Sequence, residues 1–128
     1  MASVIDTQEA VSAPEDLRLE FTRVIKALRA RVFDAWTRPE MIRLWFGPEG
    51  MKATGRYTKV NAHDLLQFTW VGSWVPGEQS LVTIHLRDVD DGTEIRLVHD
   101  RFNTKESRDG HNKGWIGILD SLAATLAT

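Results

Sequence analysis

Two histidines carry the most suggestive chemistry in the sequence. His99 falls in phase with Ile95 and Leu97 along an alternating segment, and His111 precedes Trp115 by one helical turn on an apolar helix face. Both can therefore look into one interior, where an imidazole acts as a general acid or base near neutral pH or hydrogen-bonds a polar ligand head. The plainer reading is that each satisfies a neighbouring backbone group at the rim of a core. Arg23 also keeps step with apolar neighbours, so it either neutralises a carboxylate-bearing ligand or pairs with an Asp or Glu at the core edge. Together with these groups, Phe21, Phe68, Trp70, Trp74, Leu97 and Trp115 would form a pocket suited to a ring or an acyl chain if space remains beside them. Ordinary core packing accounts for any single one of them.

Other chemistry finds no support. His99 and His111 match no compact metal-ligand spacing, cysteine is absent, and His63 and His85 fall on a turn and an outward strand face, so no metal is expected. Asp88-Val89-Asp90-Asp91-Gly92 fails the register of a calcium loop, which needs glycine at its sixth position and glutamate at its twelfth. No phosphate-cradling Gly-Lys-Ser/Thr, no Gly-x-Gly-x-x-Gly and no Gly-x-Ser-x-Gly occurs, and no cofactor is expected.

The elements that must position these side chains can be read from periodicity. Residues 17–26 alternate Leu17, Leu19, Phe21 and Ile25 against Arg18, Glu20, Thr22 and Lys26, as a strand with one buried face does. Val32, Phe33 and Trp36 then take helical spacing, and Pro39-Glu40 opens a second short helix with apolar Met41, Leu44 and Trp45, which Gly47-Pro48-Glu49-Gly50 ends. Strands are predicted over 54–60, 65–74, 81–87 and 93–101, with Val75-Pro76-Gly77-Glu78 as a type II turn and Asp91-Gly92 as a two-residue hairpin loop. Asn103 and Glu106 suit the reciprocal cap of a long helix whose inner side is His111, Trp115, Ile118, Leu119, Leu122 and Leu126. Gly110, Gly114 and Gly117 imply either fraying there or close approach of another backbone.

The 128 residues, 42% hydrophobic and without cysteine, fit one domain able to build a core unaided and exclude disulfide and thiol chemistry. Residues 1–14 read as a flexible lead without signal-peptide character, leaving 15–128 as the domain. A formal charge of −2 disfavours nucleic acid, and no run of eighteen apolar residues offers a membrane span, so a cytoplasmic location is expected. The order of elements gives an α+β fold in which the last helix covers the apolar strand faces.

Four ordered blocks carry a resemblance: Val32-Phe33-Asp34-Ala35-Trp36-Thr37-Arg38-Pro39-Glu40, Trp45-Phe46-Gly47-Pro48-Glu49-Gly50, Gly92-Thr93-Glu94-Ile95-Arg96-Leu97-Val98-His99, and Gly114-Trp115 with Leu119 and Leu122. From about Leu17 to Leu126 the chain resembles bacterial proteins similar to the C-terminal domain of the activator of heat shock protein 90 ATPase, in the START-like (SRPBCC) superfamily. The resemblance implies a helix-grip fold, a curved antiparallel sheet wrapped around a long C-terminal helix with an apolar cavity between them. It does not fix an activity, because such families include ligand binders, cyclases and lipid carriers. Two departures stand out. Leu28 follows Ala27 where relatives carry proline, and Met51 leads almost directly to Gly55-Arg56-Tyr57 where relatives have a longer segment with an Asp-x-Arg-x-Gly-Gly stretch.

A shortened sheet should leave the cavity open or small and expose strand edges, which a second copy could cover as a homodimer. The function expected is binding of a small apolar or amphipathic molecule between sheet and helix, without catalysis. A chaperone partner, implied by the family name, is the alternative of a different class. A cyclase or hydratase using His99 or His111 is the third.

Overall fold

The computed structural model describes residues 17–45, 53–72 and 77–126. The lead over 1–14, Trp74, the Gly47–Gly50 stop and the first half of the turn at Val75–Glu78 lie outside the described residues. Strand β1 spans Leu19–Ile25, helix α1 Arg29–Thr37 and helix α2 Pro39–Trp45. Strands β2 (Ala53–Thr54), β3 (Tyr57–Asn61), β4 (Leu65–Gly72), β5 (Ser80–Val89) and β6 (Gly92–Asp100) follow, then helix α3, Lys105–Leu126. The strands form one antiparallel sheet in the order β1-β6-β5-β4-β2, with β3 also pairing β4.

The alternation read from the sequence sets the faces. Leu66, Trp70, Val82, Ile84, Leu86, Ile95 and Leu97 are buried on the sheet's inner side, and α3 lays Trp115, Ile118, Leu119, Leu122 and Leu126 into the same core. Helix α1 adds Val32, Phe33, Ala35 and Trp36. The registers put His99 between Leu19 of β1 and Val82 of β5, so its inward phase is fixed by pairing on both sides. This is the helix grip, with two short helices between the first strand and the rest of the sheet.

The expected strand over 54–60 is broken in two. Arg56 and Thr69 exchange hydrogen bonds of 2.9 and 3.0 Å around Gly55, where an added Cβ would stand 1.8 Å from the Thr69 carbonyl oxygen. A register shift follows between Tyr57 and Lys59. All five β3 residues are exposed, although Tyr57 and Val60 stand opposite inward-facing Phe68 and Leu66. The apolar side of the sheet's far edge is therefore left uncovered by described residues.

The long helix begins one residue later than its expected cap. Thr104 Oγ1 accepts the Ser107 N–H at 3.0 Å, whereas the Asn103 N–H is bound by the buried carboxylate of Glu78 at 2.7 Å. Nor is the helix frayed at its glycines. It runs unbroken, and apart from chain neighbours and the helix's own backbone no described atom lies within 4 Å of a Cβ built on Gly110, Gly114 or Gly117. With neither strain nor contact there, Gly117→Ala is expected to stabilise the protein by about 1 kcal/mol in urea denaturation. A loss of stability would mean that a partner covers this face.

Candidate functional site

The interior carries a hydrogen-bonded seam as well as an apolar core. His99 on β6 is 0% exposed, and Trp115 on α3 is 1% exposed. The Trp115 Nε1–H donates to His99 Nδ1 at 2.8 Å, and His99 Nε2 lies 2.7 Å from Ser80 Oγ on β5. An indole nitrogen only donates, so Nδ1 must be the bare ring nitrogen and Nε2 must carry the hydrogen. Ser80 accepts from it, and its own hydroxyl faces the Trp70 carbonyl oxygen at 3.4 Å.

A second imidazole repeats the arrangement 5.1 Å away between ring centres. Trp70 on β4 donates its indole N–H to His111 Nε2 at 3.1 Å, so Nδ1 carries the hydrogen and donates to the Ser107 carbonyl oxygen at 2.8 Å. Phe102 packs against both imidazoles at 4.3 and 4.9 Å. At the seam's outer end Glu78, 3% exposed, accepts the Ser107 hydroxyl at 2.7 Å as well as the Asn103 N–H. Its negative charge sits at the helix N-terminus, where the exposed backbone N–H groups favour it.

These tautomers decide what the seam can do. His99 already carries a hydrogen on the nitrogen facing Ser80, so it cannot take the serine proton and does not make a nucleophile of it. Burial, and secondarily the neighbouring His111, hold the His99 imidazole down to about 2 from its ordinary 6.5, far below the range in which a general base works at neutral pH. Among the described residues no group of three or more His, Asp or Glu is placed to hold a metal ion.

An aromatic band runs from this seam to the sheet's far edge. Ring centres lie 5.3 Å apart for Trp70 and Trp115, 6.1 Å for Trp115 and Trp36, 6.4 Å for Trp36 and Phe68, and 5.7 Å for Phe68 and Tyr57. The Tyr57 hydroxyl donates to the Trp36 carbonyl oxygen at 2.7 Å, anchoring the edge strand to the end of α1. The band begins buried and ends half-exposed, with Tyr57 at 44% and Val60 beyond it at 59%.

The structure brings Trp70, His99, His111 and Trp115 into direct contact, with Phe68 farther along the band. Leu97 is fully buried, and Phe21, its partner across the sheet, is partly buried against the same core. Arg23 stands apart at the rim, where its guanidinium pairs with Asp120 of α3 at 2.6 Å. Sequence reasoning passed over Ser80, Glu78, Ser107, Phe102, Trp36 and Tyr57. Ser80 was detectable, being a polar residue in phase with Val82, Ile84 and Leu86. Glu78 lies on a connection and gave no periodic signal.

A bent antiparallel sheet closed over a C-terminal helix, with an aromatic interior reaching an open edge, defines a helix-grip protein of START-like type. The chain belongs to the family described as Activator of Hsp90 ATPase homolog 1-like protein, whose sequence pattern matches residues 26–127. Solved structures of the same fold include protein CV1439 from Chromobacterium violaceum, 19% identical with a TM-score of 0.77, covering 88% of this chain and 99% of that one. The Aha1 dimer from Colwellia psychrerythraea is 18% identical with a TM-score of 0.75, covering 86% and 96%. CalU16 from Micromonospora echinospora is 23% identical with a TM-score of 0.73, covering 85% and 75%. No curated protein matches the sequence.

Proposed function

We propose that the chain binds a small apolar or amphipathic molecule between its sheet and α3, entering over the uncovered aromatic edge. The observation that carries this reading is the exposure of Tyr57 and Val60 on the inner side of the edge strand, continuous through Phe68 with buried Trp36 and Trp115. Water-exposed apolar surface leading into a core is where an apolar guest gains most from burial. The described seam is already hydrogen-bonded to itself, which favours an apolar body on the guest over a polar head directed at the histidines.

Intrinsic tryptophan fluorescence, titrated with fatty acids and fused-ring aromatics, tests the reading. Saturable changes are expected, and Phe68→Ala should weaken binding by roughly tenfold, the equivalent of about 1.4 kcal/mol of lost apolar contact. Flat responses across both ligand classes would sink it.

The sheet edges support a homodimer, and the Colwellia relative is a dimer. Light scattering at micromolar concentration should return twice the chain mass, and the mass of one chain removes the proposal. The family's description is the one observation that favours a chaperone partner. Stimulation of the chaperone's ATPase by the purified chain is its test. No described helix is long and apolar enough to cross a membrane.

A further inference from the structure

The two halves of α3 are held by different forces. Ile118, Leu119, Leu122 and Leu126 anchor its C-terminal turns by apolar burial, whereas residues 105–117 bury only His111 and Trp115. The N-terminal turns are fixed by the ring packing of these two residues and by the polar seam: Trp115 to His99, Trp70 to His111, and Ser107 to Glu78. Gly110 and Gly114 weaken the same turns as helix. Every bond in such a seam has a required direction, and a charge placed in it reverses one of them.

We propose that His99 is an acid-released latch: proton uptake there frees residues 105–117 of α3 from the sheet while the C-terminal turns stay packed, opening the interior. The inference is independent of whether an apolar molecule binds.

The geometry shows why an imidazolium cannot remain in place. A second ring hydrogen would sit on Nδ1, aimed at the Trp115 indole N–H only 2.8 Å away, and two donors would face each other. No described carboxylate is there to compensate. The groups packed on His99 are Ser80 of β5, Trp70 of β4, Phe102 beyond β6, and Trp115 and His111 of α3. Of these only His111 is ionisable, and a charge on it would repel one on His99. Glu78, two residues before Ser80, bonds the Ser107 hydroxyl and the Asn103 N–H and makes no hydrogen bond to His99. Asp100 is the next residue along β6 and so points to the opposite face of the sheet.

The sign follows from linkage. Closed, His99 is held down to about 2 by burial, and open it returns to its ordinary 6.5, so opening takes up one proton. The latch is at full strength above pH 6.5 and weakens as pH falls from there toward 2. Below about pH 6 the open population should rise roughly tenfold per pH unit, or about 50-fold between pH 6.5 and 4.5.

Hydrogen exchange read by mass spectrometry, corrected for intrinsic exchange rates, tests this on the intact chain. Peptides within 105–117 are expected to open about 50-fold more at pH 4.5 than at pH 6.5, and at either pH to open more readily than peptides within 118–126, whose exchange needs a larger opening that frees His99 as well. His99→Gln keeps an acceptor for Trp115 and a donor for Ser80 but has no proton to take up, and it should lose most of the dependence. Full dependence persisting in His99→Gln overturns the proposal. Equal opening of both segments overturns it too, and that comparison needs only the wild-type chain should the variant not fold.

Discussion

Trp115→Ala is expected to lower stability by about 3–5 kcal/mol, the range for deleting a large buried aromatic side chain. Trp115 is 1% exposed and lies within ring contact of Trp36, Trp70 and His99, so its loss leaves a cavity among side chains that already have fixed partners. The same change strips His99 Nδ1 of its donor. Trp115→Phe separates the two contributions. Phenylalanine refills much of the volume and supplies no N–H, so its expected cost is about 1–3 kcal/mol, largely that of a buried acceptor left unpaired. Both values come from urea denaturation at neutral pH. A cost under about 1.5 kcal/mol for the alanine variant would show that the interior tolerates a void there.

The second large effect is expected at a turn. Gly92 has a φ of +146°, and a Cβ there would lie 2.2 Å from the Ile25 carbonyl oxygen at the end of β1. Nearby, Thr93 Oγ1 donates to the Ala27 carbonyl oxygen at 2.8 Å, so the β5–β6 hairpin end is pressed against the chain leaving β1. Gly92→Ala combines backbone strain of about 1–3 kcal/mol with overpacking of similar size, and a total loss of roughly 2–4 kcal/mol is expected because the two relax together. The exposed neighbour Asp91 provides the contrast, since Asp91→Ala should stay within about 0.5 kcal/mol. Thermal and urea unfolding of the two variants check this, and a near-neutral Gly92→Ala would mean that β1 does not end against this turn.

That glycine also shows how far a sequence can be read. Asp91-Gly92 correctly marked a tight hairpin, but the pairing of Val89 with Gly92 makes Asp90 and Asp91 the loop and Gly92 the first strand residue. The glycine answers to a carbonyl more than sixty positions away in the chain. The cap of α3 also differs: Glu78, distant in sequence, takes the Asn103 N–H that the reciprocal cap assigned to Glu106, and Thr104 caps the helix. At Arg23 the residues left open a ligand or a core-edge partner, and only the approach of α3 brings Asp120 to it.

What the sequence determined by itself is local and periodic: that β1, β4, β5 and β6 are strands and which face each presents, where the long helix lies, and that His99 and His111 both turn inward. Alternation of two and recurrence of about three and a half are properties of neighbours, and burying one face is a demand that every such segment makes on its own. The tertiary structure alone decided which ring nitrogen of each histidine carries its hydrogen, that an indole stands opposite each, and that the aromatic band reaches an open edge. Those outcomes depend on directional bonds between β4, β5, β6 and α3, and the direction of a hydrogen bond is settled only when both partners are in place.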